Sequence, residues 1–442
     1  MMLNSTFSYD ILEESVKLYL PEVFDMKKLF GFITFLMILL LAGCGNQANE
    51  TEPIPTVAPT EPTTPSITAP TQDNISTDVP PSYENMYSVA LPVNIENRYM
   101  EDGTLVSQFA SQSIDLILPD SDVAQKIKND FYDRIEKYRF DAESLHELAR
   151  SMYKNGTLQD PLTYNVHYDV TRIDQGVLSL FGQLTQSGEG AHANVPNISV
   201  NYNLVSGDIL TLGGILYHAD CKDTLADLVI SGLEKIKNEI DLYGEYASTV
   251  RNDFAKDESK FDSFYFSATG LCFYFPQYKI APRAYGTIVV EIPYHELTGV
   301  IGDEFFPVER TYAKGEVIAS AFTAEEWEKY DQFAQIITEE SDSSTKILLT
   351  VDSAVQNVRI YEVIRQGIGD AITQTKNIFA SNILSPNEAI LFEADFTYTP
   401  SRYVLAYTSE GTTQFYYFTF NTETQTVTLT YTTDSIKIRS GA

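Results

Sequence analysis

Apolar residues along the 442-residue chain change texture several times. Residues 29–41 are nearly uninterrupted hydrophobic sequence, whereas residues 45–82 are Pro, Thr, Ser, Asn and acid with no periodicity. From Tyr87 onward, blocks with a period of two alternate with blocks of period 3.6, which predict strands and helices respectively. Residues 104–117 read as strand, with Ile114, Leu116 and Leu118 on one face. Pro119 stops that strand, and Asp120-Ser121 cap a helix whose Ala124, Ile127, Phe131, Ile135 and Tyr138 form one stripe. A second helix is expected from Asp141, burying Leu145, Leu148 and Met152 and ending at Asn155-Gly156. Tyr164, Val166, Tyr168 and Val170 then share a strand face, Asp174-Gln175-Gly176 turns the chain, and Val177, Leu178 and Leu180 return. A strand over 198–204, a turn over 203–208 and a helix through Leu225, Leu228, Val229, Leu233, Ile236 and Ile240 follow. Strands over 264–275 and 287–292 complete this part.

After Leu297 the pattern simplifies. Thr323 and Glu326 have capping-box spacing, and Trp327, Tyr330, Ala334 and Ile337 fit one short helical stripe with Phe333 at its edge. Beyond Lys346 the recognisable elements are strands, at 347–351, 358–364, 389–396, 403–407, 415–420 and 426–431. The expected fold is α+β: a mixed sheet with helices, followed by an all-β, sandwich-like C-terminal domain. The expected segments are 86–299 for the α+β domain, 300–344 for a connection with a short helix, and 345–442 for the β domain.

The hydrophobic run changes the picture of where the protein works. Lys27 and Lys28 precede it and Ala42-Gly43-Cys44 follow it, and about 13 apolar residues are too few to span a bilayer. Residues 26–43 therefore read as a signal peptide. Leu41-Ala42-Gly43-Cys44 resembles the lipobox of bacterial lipoproteins, which implies a diacylglyceryl group on Cys44 and a place on the outer face of the cytoplasmic membrane. Residues 1–25 carry five acids against Lys17, the wrong sign for the start of a signal, so translation is expected to begin at Met26. Residues 44–85 read as an extended stalk that cannot bury enough surface to fold. Of the remaining cysteines, Cys221 opens a helix and Cys272 lies in an aromatic strand, and two buried thiols are expected rather than a bridge.

Composition narrows the partners. A net charge of −31 opposes nucleic-acid binding and favours attraction of cationic proteins. The histidines His146, His167, His192, His218 and His295 have no metal-ligand spacing, and no phosphate loop or nucleophile elbow is present. No catalytic residue, metal site or cofactor is expected. Two stretches stand out. Residues 187–194 form a small-residue loop carrying Glu189 and His192, read either as a structural crossover or as a recognition loop. Residues 273–286 contain Pro276 and Pro282, which fix the path of a rigid loop bearing Tyr278, Lys279, Arg283 and Tyr285. Exposed Tyr and Arg on such a loop suit protein contact; core packing of Tyr285 is the alternative.

These stretches carry a family resemblance. Gly190-Ala-His-Ala-Asn194, Asn203-Leu-x-x-Gly207-x-x-Leu-Thr-Leu212, Phe273-Tyr-Phe-Pro-x-Tyr-x-Ile-Ala-Pro282 and Ile292-Pro-Tyr-x-Glu-Leu297 occur in the order seen in RsiV ectodomains. RsiV is a lysozyme-sensing anti-sigma factor, and a similar domain precedes the catalytic unit of the peptidoglycan deacetylase PdaC. The resemblance implies an extracytoplasmic α+β domain and, as in the sensor, recognition of a lysozyme-like protein through the Pro276–Tyr278 region. Nothing resembles the deacetylase catalytic domain. The expected function is a lipid-anchored binding protein for an extracellular cationic protein or for peptidoglycan. The alternative is a cell-wall enzyme or an accessory carbohydrate-binding lipoprotein.

Overall fold

The computed structural model describes residues 85–187, 195–255, 263–308, 312–330, 332–338, 344–365, 372–398 and 401–432. The fold is α+β, mostly strand with few helices. Its first half is built on a five-stranded sheet with the order β2-β3-β5-β6-β7. These strands are β2 (Val93–Tyr99), β3 (Leu105–Gln112), β5 (Leu162–Ile173), β6 (Val177–Ser187) and β7 (Asn197–Asn203). Between β3 and β5 runs a single helix, α1 (Ser121–Lys154), of 34 residues and so about 50 Å long. The Asp120 side chain accepts the Asp122 and Val123 N–H groups at its start. No Gly or Pro interrupts residues 121–154, so the expected restart at Asp141 does not occur and the helix runs through. Val123, Ile127, Phe131 and Ile135 pack on Tyr164, Val166, Tyr168 and Val170 of β5, and the Phe131 and Tyr168 rings lie 5.5 Å apart.

The other face of this sheet is covered by a second, three-stranded sheet, β10-β9-β8, made of β8 (Phe264–Phe266), β9 (Gly270–Phe275) and β10 (Ile288–Pro293). Alternation divides β9 between two cores. Cys272 and Tyr274 turn toward Phe181 of β6, which stacks on Tyr265 with ring centres 4.3 Å apart. Leu271, Phe273 and Phe275 turn outward onto the helices α2 (Leu212–Ile215), α3 (Cys221–Ile236) and α4 (Tyr246–Phe254). A strand buried on both faces reads as a continuous aromatic run, which is what residues 271–275 are. Gly232 lets α3 approach β10, since a Cβ there would lie 2.4 Å from Val290 Cγ1. The layers are therefore helix, sheet, sheet, helices.

The second half is a sandwich. Its larger sheet has seven strands, β19-β18-β17-β14-β15-β1-β4, and its smaller has four, β11-β13-β16-β12. The strands are β11 (Val317–Ala321), β12 (Gln332–Ile337), β13 (Thr345–Val351), β14 (Val355–Arg365), β15 (Ile372–Leu384), β16 (Glu388–Ala394), β17 (Tyr403–Ser409), β18 (Thr412–Asn421) and β19 (Thr426–Thr432). The larger sheet takes in two strands from the other end of the chain, β1 (Ser88–Ala90) and β4 (Asp115–Ile117). Phe392 sits between the sheets and meets the Tyr403 and Phe418 rings edge-on at 5.2 and 5.3 Å. Thr323 does cap a helix, with its hydroxyl accepting the Glu326 N–H at 3.1 Å, while the Glu326 carboxylate pairs with Lys329. The helix it opens, however, is one turn, α5 (Ala324–Trp327), and β12 lies where the helical stripe was expected. Ala334 and Ile336 are buried at alternate positions, parallel to β16, so the period there is two.

Candidate functional site

The residues between β9 and β10 form the expected rigid loop. After Phe275 the chain turns at residues 276–279, with the Lys279 N–H donating to the Pro276 carbonyl at 3.0 Å. Tyr278 occupies the third position of this turn with φ +64°, a place normally given to Gly or Asn. Its side chain is 63% exposed. The next residues are tied down. Ile280 and Ala281 are buried, the Ile280 carbonyl accepts the Tyr243 N–H at 2.9 Å, and Lys279 Nζ lies 3.1 Å from Asp253 Oδ1 on α4. Pro282 then starts a 3-10 turn, Arg283–Tyr285, that closes at Gly286 with φ +68°. Tyr285 is 41% exposed and projects outside the core.

The candidate residues thus fall into distinct roles. Pro276, Tyr278 and Tyr285 are presented to solvent, Arg283 is half-buried, and Lys279 is held by a carboxylate. Glu189 and His192 lie outside the described residues, as does Cys44. The strands flanking residues 188–194 are described, and Thr287 at the end of the tyrosine loop donates its hydroxyl to the Asn197 side chain. The tyrosine loop therefore ends beside the start of β7.

Among the described residues, other groups that suggest chemistry do not assemble into a site. Ser107 Oγ and His146 Nδ1 are 2.9 Å apart, the spacing of a nucleophile and its base. Ser107 is buried in β3, and the adjoining space of about 10 Å³ is too small for a substrate. His167 Nε2 lies 3.3 Å from Asp169 Oδ1, which also accepts the Asn377 N–H. Among the described residues, no three or more of His, Cys, Asp and Glu group to hold a metal ion, and no helix is long and apolar enough to cross a membrane. Both Cys221 and Cys272 are free; Cys272 is buried as expected, whereas Cys221 is only half-buried. Burial pushes the Cys272 thiol up to about 12.

One network escaped the sequence reading. Arg172, buried at the end of β5, donates from Nε to Asp174 at 2.5 Å and from Nη1 to both Tyr294 Oη and the Phe305 carbonyl at 2.6 Å. Its guanidinium also lies over the Phe266 and Tyr294 rings, and burial raises the Tyr294 hydroxyl above its ordinary value. In sequence, Thr171-Arg172-Ile173-Asp174 looks like a strand end passing into a polar turn. The available signal was the Arg-x-Asp spacing just before Gly176.

Residues 208–295 match a sequence family described as "Protein of unknown function (DUF3298)". The matched segment contains α2 to α4, the three-stranded sheet and the tyrosine loop. Two crystal structures of DUF3298 proteins are similar to the chain. One, from Bacteroides fragilis, is 18% identical over 49% of this chain and 94% of its own, with a TM-score of 0.35. The other, from Pseudomonas aeruginosa, is 16% identical over 50% and 97%, with a TM-score of 0.34. Comparison with curated proteins returns no match.

Proposed function

We propose that this chain is a lipid-anchored, extracytoplasmic binding protein that captures a cationic, lysozyme-like protein through the loop at residues 276–285. The observation that carries the reading is Tyr278: a large, exposed side chain on a backbone held at positive φ, in a loop whose next residues are buried and ion-paired. Aromatic groups fixed before binding lose little entropy on contact, which is how a few residues dominate an interface. The resemblance of roughly residues 87–297 to RsiV ectodomains, carried by motifs between Gly190 and Leu297, supports the same partner class. The chain's net charge of −31 would speed encounter with a basic protein over a range of about 8–10 Å in physiological salt. Cys44 supplies the anchor and the stalk after it the reach.

The test is calorimetry of the chain from residue 45 onward against lysozyme at low and physiological salt. Binding should weaken with salt, and Pro276→Ala with Tyr278→Ala should reduce affinity at least about tenfold, the scale of one hot-spot contact. Absence of binding at low salt overturns the lysozyme reading.

A further inference from the structure

A cavity of about 540 Å³ opens where the two halves of the molecule meet. Its walls are the β5–β6 hairpin, the turn after β7, the segment at 304–308 and the start of β14. The size lies within the range of small-molecule sites. The charges on its lining balance, with Arg172 and Arg359 set against Asp174 and Glu304. Much of their capacity is already committed. Arg172 is paired with Asp174, Asp174 Oδ1 accepts the Gly176 and Val177 N–H groups, and Arg359 donates to the Val170 and Thr171 carbonyls. An ionic ligand therefore finds no surplus of either sign.

What the cavity offers instead is amide. Asn203, Gln356 and Asn357 line it from two different sheets. Asn203 Oδ1 already accepts the Val205 and Ser206 N–H groups, which leaves its Nδ2 as a donor. A carboxamide such as Gln356 or Asn357 both donates and accepts, which matches hydroxyl and acetamido groups. Apolar surface accompanies them: Phe306 in the wall, with Val205 and Val308 exposed by 76% and 59%. Planar amides beside small apolar patches suit a sugar, whose ring has polar edges and apolar faces. A further observation gives one ligand oxygen a place to go. Arg172 lines the cavity with a side chain only 4% exposed, and its Nη2 has no acceptor among the described residues. A buried guanidinium with an unpaired donor is costly; Nη2 itself is closed off from solvent, so an acetamido carbonyl would supply the acceptor once the cavity wall gives to admit it.

We propose that this cavity binds a short, uncharged N-acetylated saccharide. The site is separate from the tyrosine loop and independent of the function proposed above. Because its walls come from both the five-stranded sheet and the sandwich, bound ligand would bridge them. The probe is N,N′-diacetylchitobiose, titrated into the chain from residue 45 onward and followed by calorimetry and saturation-transfer NMR. Saturable binding is expected, at least about tenfold weaker for cellobiose, which lacks the acetamido groups, a difference of about 1.4 kcal/mol. Gln356→Ala with Asn357→Gly should weaken it by at least about tenfold as well, with an unchanged thermal midpoint. Asn357 has φ +50°, so glycine accepts its backbone. Tyr278→Ala should leave saccharide binding intact. No saturable binding up to about 5 mM, a limit near −3 kcal/mol, overturns the proposal, as does binding that survives the Gln356/Asn357 variant. Equal binding of cellobiose overturns the acetamido assignment, and loss of binding in Tyr278→Ala overturns the separateness of the site.

Discussion

Tyr278 holds a backbone angle that an L-residue with a large side chain adopts at a cost of about 1–3 kcal/mol. Its exposed ring gains little packing in return. Away from such positions, Ala is better than Gly because Gly loses more chain entropy on folding. At Tyr278 the order should invert: Tyr278→Gly should exceed Tyr278→Ala in unfolding free energy by about 1 kcal/mol, measured by urea denaturation. The reverse order would mean that the loop relaxes and the ring is not pre-set. This residue was legible in the sequence because Pro276 and Pro282 bracket it, and prolines declare a path without reference to distant partners. Arg172 was not legible for the opposite reason. Tyr294 and Phe305, the partners that bury it, lie 122 and 133 residues away in the chain.

At the scale of elements, long periodic segments could be read and short ones could not. The stripe on α1 and the alternation on β5 recur over many residues, so chance matches are averaged out. Residues 332–337 satisfy both periods, and only pairing with β16 decides for a strand. The three-residue β1 carries no pattern at all, and the groups that hold it show why it exists. Buried Glu388, at the start of β16, accepts the Met86 N–H at 2.9 Å and the Ser385 N–H at 2.8 Å, and takes the Ser385 hydroxyl too. Burial raises the Glu388 carboxyl above its ordinary value, more than these donors lower it. A folded value above the unfolded one means that the native state binds the proton more tightly. The Glu388 contribution is then fully present below the ordinary value and falls as pH rises through the folded value. Glu388→Ala orphans three donors and should lose about 2–4 kcal/mol. Urea denaturation of both proteins across pH should show that gap widest at the acid end and narrowing toward neutrality; a gap that widens with pH would refute the sign.

At the scale of the whole molecule, β1 belongs to two cores at once. Val89 and Leu91 pack with α1 and the five-stranded sheet, whereas Met86 and Ala90 pack inside the sandwich. β4 repeats the arrangement, with Leu116 facing one core and Ile117 the other. The change of texture along the sequence separates an α+β region from a strand region. It cannot show that strands near residue 88 pair with Ser381, because the pairing joins opposite ends of the folded chain. Arg359 and Asn377 add cross-links from the sandwich to the carbonyls and side chains of β5. With a strand common to both cores, neither half can unfold and leave the other intact. The molecule carries reporters for each half: its single tryptophan, Trp327, packs against Phe333 of β12, while far-ultraviolet circular dichroism at 222 nm reports the helices of the first half, α1 the longest of them. The urea transitions followed by Trp327 fluorescence and by helical dichroism should therefore coincide, the signature of a single cooperative unit. Val89→Ala touches only the α1 side directly, yet it should lower both midpoints together, with a loss of about 1–3 kcal/mol from the buried methyl groups and the cavity they leave. Two separated midpoints, or a Val89→Ala shift seen in the dichroism alone, would show that β1 does not couple the cores.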